Sequence, residues 1–363
     1  MNRRVITLVA VVATLSIGYA VFSQRTSQAA DNAAATIVAT APASEHAGHN
    51  MTAAQHFAHL AAEGEPHANH YLMELKWEAM QAAPVNLKLP ADIEGAKDRL
   101  ASSPRKGEYV KIDVNGTPMT AWVVQPAGTG KAPVVVVVQE VFGLADWIRG
   151  VADQLAAEGF IAVAPDLLTG KGPGGGDTPA FATQQESVQA TLAIPQAEVA
   201  AKLKAAREYG LKQPRASGKT ASIGFCFGGS QSFNMAVNES ALNAAIVYYG
   251  SAPTDVPAPA RGSGPPATPP PPPPPFVPSD RLASIKAPVL GLYGGLKEDA
   301  RIGASIAPTE AKMKELGKVY EVHIFEGAAH GFLRAQMGNQ GANMRASEQA
   351  WPLTVAWIKK YAS

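Results

Sequence analysis

The sequence predicts an α/β fold in which a mostly parallel central sheet is flanked by helices. Three observations predict it. Strand-like and helix-like stretches alternate from about Gly107 to the end of the 363-residue chain. Val134–Val138 are five consecutive valines, the pattern of a strand buried on both faces. The single cysteine, Cys226, falls between a strand-like and a helix-like run, with glycines two residues before and two after it. A hydrophobic content of 46% is enough to fill one large core. A formal net charge of +1 gives no reason to expect nucleic acid or an anionic membrane as a partner.

The N-terminal part reads differently. Arg3 and Arg4 precede an apolar run from Val5 to about Phe22, followed by Ser27-Gln28-Ala29, the layout of a secretory signal peptide over residues 1–29. The expected location is therefore periplasmic or secreted, with no stable membrane association after cleavage. An uncleaved membrane anchor is the alternative, although Thr14, Ser16 and Gly18 dilute the apolar run. One cysteine allows no internal disulfide, so a free thiol kept in an oxidising compartment points to a task for that thiol.

Residues 30–106 form a His-rich, partly helical extension, with helices expected over Gln55–Gln81 and near Ala91–Ala101. Six of the eight histidines lie here: His46, His49, His56, His59, His67 and His70. Pairs such as His56 and His59 share a helix face and are able to bind a divalent metal. The competing reading is a solvated tether without fixed ligand geometry. No carboxylate or cysteine completes a metal motif, so no metal residue is assigned.

The domain expected over 107–363 begins with a hairpin, Glu108–Val114 and Thr120–Gln125, turning at Asn115-Gly116. The strand Pro133–Gln139 follows, then a helix over Trp147–Glu158 ending at Gly159, and a strand over Phe160–Ala164. A long helix near Ile194–Tyr209 leads to the strand Lys219–Phe225. Further strands are Ala244–Tyr249, Pro288–Tyr293 and Tyr320–Phe325, with helices near Thr309–Leu316 and Ser347–Tyr361. Residues 251–281 are a Pro-rich insertion with seven consecutive prolines, Pro269–Pro275, expected as an extended excursion in polyproline II form.

In parallel sheets function gathers at the carboxyl ends of the strands. Gly224-Phe225-Cys226-Phe227-Gly228-Gly229 reads as a nucleophile elbow at such an end. The free N–H groups at the start of the following helix favour a thiolate. A thiolate needs a base, the base an orienting acid, and the developing oxyanion needs donors. Only His323 and His330 lie downstream. His323 is committed to one face of the strand Tyr320–Phe325, whereas His330 sits in the Gly-flanked loop Gly327–Gly331 and is assigned as the base. The acid is Asp299, with Glu298 beside it as a competitor. Glu140 closes the five-valine strand and points to the mouth of the site. The backbone N–H groups of Val141 and Phe227 are placed for an oxyanion hole.

The set Gln139-Glu140-Val141-Phe142-Gly143, the cysteine elbow, Asp299 and His330-Gly331-Phe332 resembles the dienelactone hydrolase (carboxymethylenebutenolidase) family. The resemblance covers about Gly107 to Ser363, with the Pro-rich stretch as an insertion. It implies an α/β-hydrolase fold and a Cys226–His330–Asp299 triad. It also implies hydrolysis of a small ester or lactone through a thioester, with no cofactor. By the same resemblance Glu140 helps turn the thiol into thiolate when substrate arrives, and Arg334 holds a substrate carboxylate, a task suited to its planar fork. Tyr248 or Tyr249 matches a pocket tyrosine. The family's second carboxylate-binding arginine has no clear counterpart in Thr169–Asp177. Two other functions remain open beside this one: a broad exported carboxylesterase, and a periplasmic metal-binding or interaction protein on a hydrolase scaffold.

Overall fold

The computed structural model describes residues 86–256 and 274–363, of which Leu87–Ser363 form a compact unit. The expected signal segment, the helix over Gln55–Gln81, the six N-terminal histidines and most of the Pro-rich insertion lie outside the described residues.

Eight strands make one sheet in the order β1-β2-β4-β3-β5-β6-β7-β8. The hairpin β1 (Glu108–Val114) and β2 (Thr117–Val124) pairs antiparallel at one edge. Asn115 and Gly116 both have positive φ, the backbone that a two-residue turn needs to follow the strands' twist. From β4 onward every pairing is parallel. β3 (Ala132–Val138) is buried at every position, and β5 (Ala216–Phe225) runs beside it. The remaining strands are β4 (Ile161–Pro165), β6 (Ala244–Tyr248), β7 (Val289–Gly294) and β8 (Tyr320–Phe325).

The valine run explains the two-sided burial. Val135 and Val137 face a core shared with α1 (Ala96–Ser102), α2 (Asp146–Ala157) and α7 (Ala342–Ala362). Val134, Val136 and Val138 face a second core with α4 (Gln196–Leu211), α5 (Phe227–Asn238) and α6 (Ala300–Glu315). α2 shows the helical logic clearly: Trp147, Ile148, Val151, Ala152, Leu155 and Ala156 form one buried stripe, and Gly159 at φ 100° ends it.

Five features differ from the sequence expectations. The packed unit reaches back to Leu87, beyond the boundary expected near Gly107. Leu89 and Ala96 join the core, and Arg105 pairs with the buried Asp153 at 2.7 Å. The helix expected near Ala91–Ala101 is the shorter α1. α6 begins at Ala300 and passes through Pro308, whereas the sequence placed this helix near Thr309–Leu316, because Ile302 and Ile306 already bury on the apolar face. α7 likewise begins before Ser347, at Ala342, and runs through Pro352 as the expected helix did. A short helix, α3 (Gln184–Ala193), was not anticipated; its buried residues are Ser187 and Thr191, so it carries almost no apolar stripe. Ile194 is extended and Pro195 caps α4, as expected for a residue preceding proline.

Candidate active site

β5 delivers Cys226 to the carboxyl end of the sheet. The residue has φ 56° and ψ −115°, caps α5, and is partly buried. A β-carbon-bearing residue at that φ is strained by roughly 1–3 kcal/mol, so the surroundings must hold it. Two glycines allow them to. A Cβ on Gly224 would come within 1.9 Å of the Gly228 carbonyl oxygen, and one on Gly228 within 2.3 Å of the Val138 carbonyl oxygen. The first turn of α5 therefore presses directly onto the end of β3. The Cys226 N–H donates to the Tyr248 carbonyl at 3.1 Å, tying the bend to β6.

His330 and Asp299 arrive from the loops after β8 and β7. His330 Nδ1 lies 2.6 Å from Asp299 Oδ2, and Asp299 is buried. Glu298 is exposed, with its carboxylate folded over Gly295, so Asp299 is the acid that geometry places on the imidazole. Burial pulls the His330 pKa down. Hydrogen bonding to Asp299 and then to Cys226 outweighs it and leaves the imidazole at about 9. His323 lies elsewhere, on the edge strand β8, with Nε2 2.8 Å from Glu321.

Glu140 is 3% exposed. Its burial raises the carboxyl to about 7, even though Arg334 and then His330 pull it down. Arg334 Nε stands 3.0 Å from Glu140 Oε2, yet that N–H has no acceptor in hydrogen-bonding alignment. The pair is thus a charge contact rather than a directed bond. The Arg334 guanidinium also lies 4.9 Å from the centre of the Phe142 ring. Arginine, carboxylate and ring come from two loops held by other contacts. Thr178 accepts from the Leu144 N–H and donates to buried Asp166, bracing the Glu140 loop. Gln336 Nε2 donates to the Pro90 carbonyl and the Ile93 N–H donates to the Arg334 carbonyl, bracing the Arg334 loop.

The two candidate tyrosines separate. Tyr248 is buried with its hydroxyl 2.8 Å from Thr354 of α7, inside the core. Tyr249 has φ 39° and packs its ring 5.0 Å from His330, and its buried hydroxyl has no hydrogen-bond partner. Burial, then the charges of Glu140 and Cys226, push the Tyr249 phenol well above its ordinary value. Tyr249 is therefore the tyrosine that the structure brings to the site. The two expected oxyanion donors are both free of backbone partners among the described residues. Phe227 opens α5, where the first N–H groups lack helical partners, and the Val141 N–H takes part in none of the loop's backbone hydrogen bonds.

The braces at Thr178, Gln336 and the 90–93 segment carried no sequence signal, since each acts through a neighbour brought close only by the fold. Phe142 lay within a quoted motif, but its role as a seat for Arg334 depends on loop geometry.

Comparisons with known proteins bear on the family and the fold. The sequence profile of the dienelactone hydrolase family matches residues 119–362. A protein of Escherichia coli O157:H7 named as a carboxymethylenebutenolidase is 28% identical over 255 residues, covering 70% of this chain and 86% of its own. A likewise named protein of Methylorubrum extorquens is 28% identical over 254 residues, covering 69% and 80%. Among solved structures, one described as a dienelactone hydrolase from Klebsiella pneumoniae aligns with a TM-score of 0.58 at 24% identity. It covers 71% of this chain and 100% of that one. A dienelactone hydrolase-like promiscuous phosphotriesterase from metagenomic libraries aligns at 0.55 and 21% identity, covering 72% and 100%. Elbow, sheet and profile agree: the chain belongs to the dienelactone hydrolase family.

Proposed function

We propose that this protein hydrolyses small carboxylic esters or lactones through a thioester on Cys226. The observation that carries the reading is the convergence of Cys226 at a strained strand-to-helix bend with the His330–Asp299 pair.

The proton inventory gives Glu140 a task. The His330 pKa of about 9 is raised by Asp299 and in part by the charge of Cys226, so it describes an imidazolium facing a thiolate. If that imidazolium is already in place, the thiol's proton needs a separate acceptor. Glu140, at about 7, is partly ionised at neutral pH and is able to accept it. A substrate carboxylate competes for Arg334 and frees Glu140 from its charge contact, linking substrate arrival to formation of the thiolate. The sulfur then attacks the carbonyl carbon, and the oxyanion is received by the Val141 and Phe227 N–H groups. Collapse breaks the C–O bond, the leaving oxygen takes the proton of His330, and a thioester remains. Neutral His330 next takes a proton from water, whose oxygen attacks the thioester. Expulsion of the sulfur releases the acid, and Glu140 gives its proton back. The sum is ester plus water to acid plus alcohol, with no cofactor. Asp299 holds the imidazole in the required orientation throughout.

Turnover of p-nitrophenyl acetate and of dienelactone by purified protein tests this, because Cys226→Ala should abolish both. Full activity in that variant ends the proposal. The same proposal places the mature protein in the periplasm or outside the cell after removal of residues 1–29. N-terminal sequencing of the exported form checks that part.

A further inference from the structure

One cavity away from the elbow has a lining richer in cations than in carboxylates. It has a volume of about 260 Å³ and opens between α1, the 105–107 turn, β2 and α2. Its walls carry four cations, Lys97, Arg105, Lys106 and Arg149, against two carboxylates, Asp146 and Asp153. Both carboxylates are already engaged. Asp153 receives Arg105 through both its oxygens, and Asp146 pairs with an Arg149 terminal nitrogen.

What remains is unspent donor capacity. Arg149 Nε–H and Trp122 Nε1–H are both buried without an acceptor. Such groups are rare in native interiors, where nearly every buried donor has a partner. Neither side chain has any accepting atom of its own. The guanidinium is fixed in place, 5.1 Å from the Trp122 ring centre and 5.6 Å from that of Tyr109. At the rim, Lys97 has no ion-pair partner among the described residues, and the Lys106 ammonium makes one bond of 3.3 Å, to the Ser103 carbonyl. Gly107 packs closely on the indole edge, where a Cβ would stand 2.8 Å from Trp122 Nε1 and push the ring out of place.

We propose that this cavity is a binding site for a small oxyanion, a carboxylate or a phosphate group, held by Arg149 and Trp122 within and by Lys97 and Lys106 at the rim. Its size suits an ion or a short organic acid rather than a drug-sized ligand. It is separate from the catalytic constellation, since none of Cys226, Glu140, His330 or Arg334 lines it.

The test uses the full chain labelled with ¹⁵N, at fixed ionic strength with chloride as the balancing anion, because exposed charges are screened by salt. Inorganic phosphate and acetate are titrated separately while the indole N–H resonances of the five tryptophans are followed. The Trp122→Phe variant removes one resonance and so assigns it. The Trp122 signal should shift saturably, and the anion that saturates at the lower concentration identifies the class. Combined Lys97→Ala and Lys106→Ala should weaken that affinity about tenfold, as expected for losing charge-assisted contacts, while leaving ester turnover unchanged. A Trp122 signal that saturates with neither anion, or equal affinity in the double variant, overturns the proposal. If Trp122→Phe does not fold, calorimetry with both anions on the wild type and the double-lysine variant decides the same point: a tenfold loss supports the site, and equal binding or none refutes it.

Discussion

At the residue scale, the site is governed by two groups whose titration the fold has moved upward. Burial lifts Glu140 to about 7 against the pull of Arg334 and His330. His330 reaches about 9 because Asp299 and Cys226 outweigh its own desolvation. The proposed mechanism needs ionised Glu140 and protonated His330 together, so kcat/KM should rise with pH through about 7 and fall through about 9. Glu140→Gln should lower kcat/KM by about 10²-fold and erase the acidic limb, as loss of a positioned proton acceptor does. An unchanged rate and profile would show that Glu140 does not take the thiol's proton. Asp299→Asn should cost about 10³–10⁴-fold in kcat by leaving the imidazole misoriented, whereas the exposed Glu298→Gln should stay close to wild type. The reverse order would transfer the acid role to Glu298. Stability carries the same sign. A His whose folded pKa is raised contributes fully below its unfolded value of about 6.5, and that contribution fades as pH rises through about 9. The melting temperature should therefore fall across that interval, and fall less in His330→Ala.

At the element scale, the elbow works because α5 is allowed to touch β3. Gly228→Ala places a methyl 2.3 Å from the Val138 carbonyl oxygen, so strand and helix must separate. A loss of about 2–4 kcal/mol is expected, in the range of severe backbone or overpacking changes. Thermal melting and turnover should decline together, and a variant with native stability and rate would show that the close approach is dispensable. This element was legible in the sequence, because flanking glycines, a preceding strand pattern and a following helix all fall within a dozen residues. The five-valine run was legible for the same reason, since its burial leaves a local compositional mark. Other elements were not. Pro308 carries a strong local signal against a helix interior, but tertiary burial on α6 overrides it. The choice between Tyr248 and Tyr249 was hidden too. Alternation along a strand sends neighbours to opposite faces, yet the positive φ of Tyr249 brings both rings into one cluster.

At the scale of the whole molecule, one sheet edge and the chain entering it support a site assembled from the ends of five strands. The segment before β1 belongs to the compact unit. Leu89 fills the core, Arg99 donates to the Leu89 and Leu87 carbonyls and to Gln154, and Ile93 meets the loop that carries Arg334. A chain beginning at Gly107 should thus lose at least about 3 kcal/mol relative to one beginning at Leu87, from the lost apolar burial and the uncompensated Asp153. Its activity on carboxylate-bearing esters should fall more than its activity on neutral ones, since Arg334 loses its brace. Equal stability of the two truncations would remove this segment from the account. No sequence pattern announced that bracing, because it joins residues separated by more than two hundred positions, as in the Gln336–Pro90 bond.

The account as a whole depends on sulfur acting as the nucleophile, and intact-protein mass spectrometry during turnover of p-nitrophenyl acetate tests it most directly. An acetyl group should accumulate on the wild-type chain, map to the peptide containing Cys226, and be absent from Cys226→Ala. Steady turnover with no adduct on that peptide, or an adduct on another residue that tracks the rate, would contradict it.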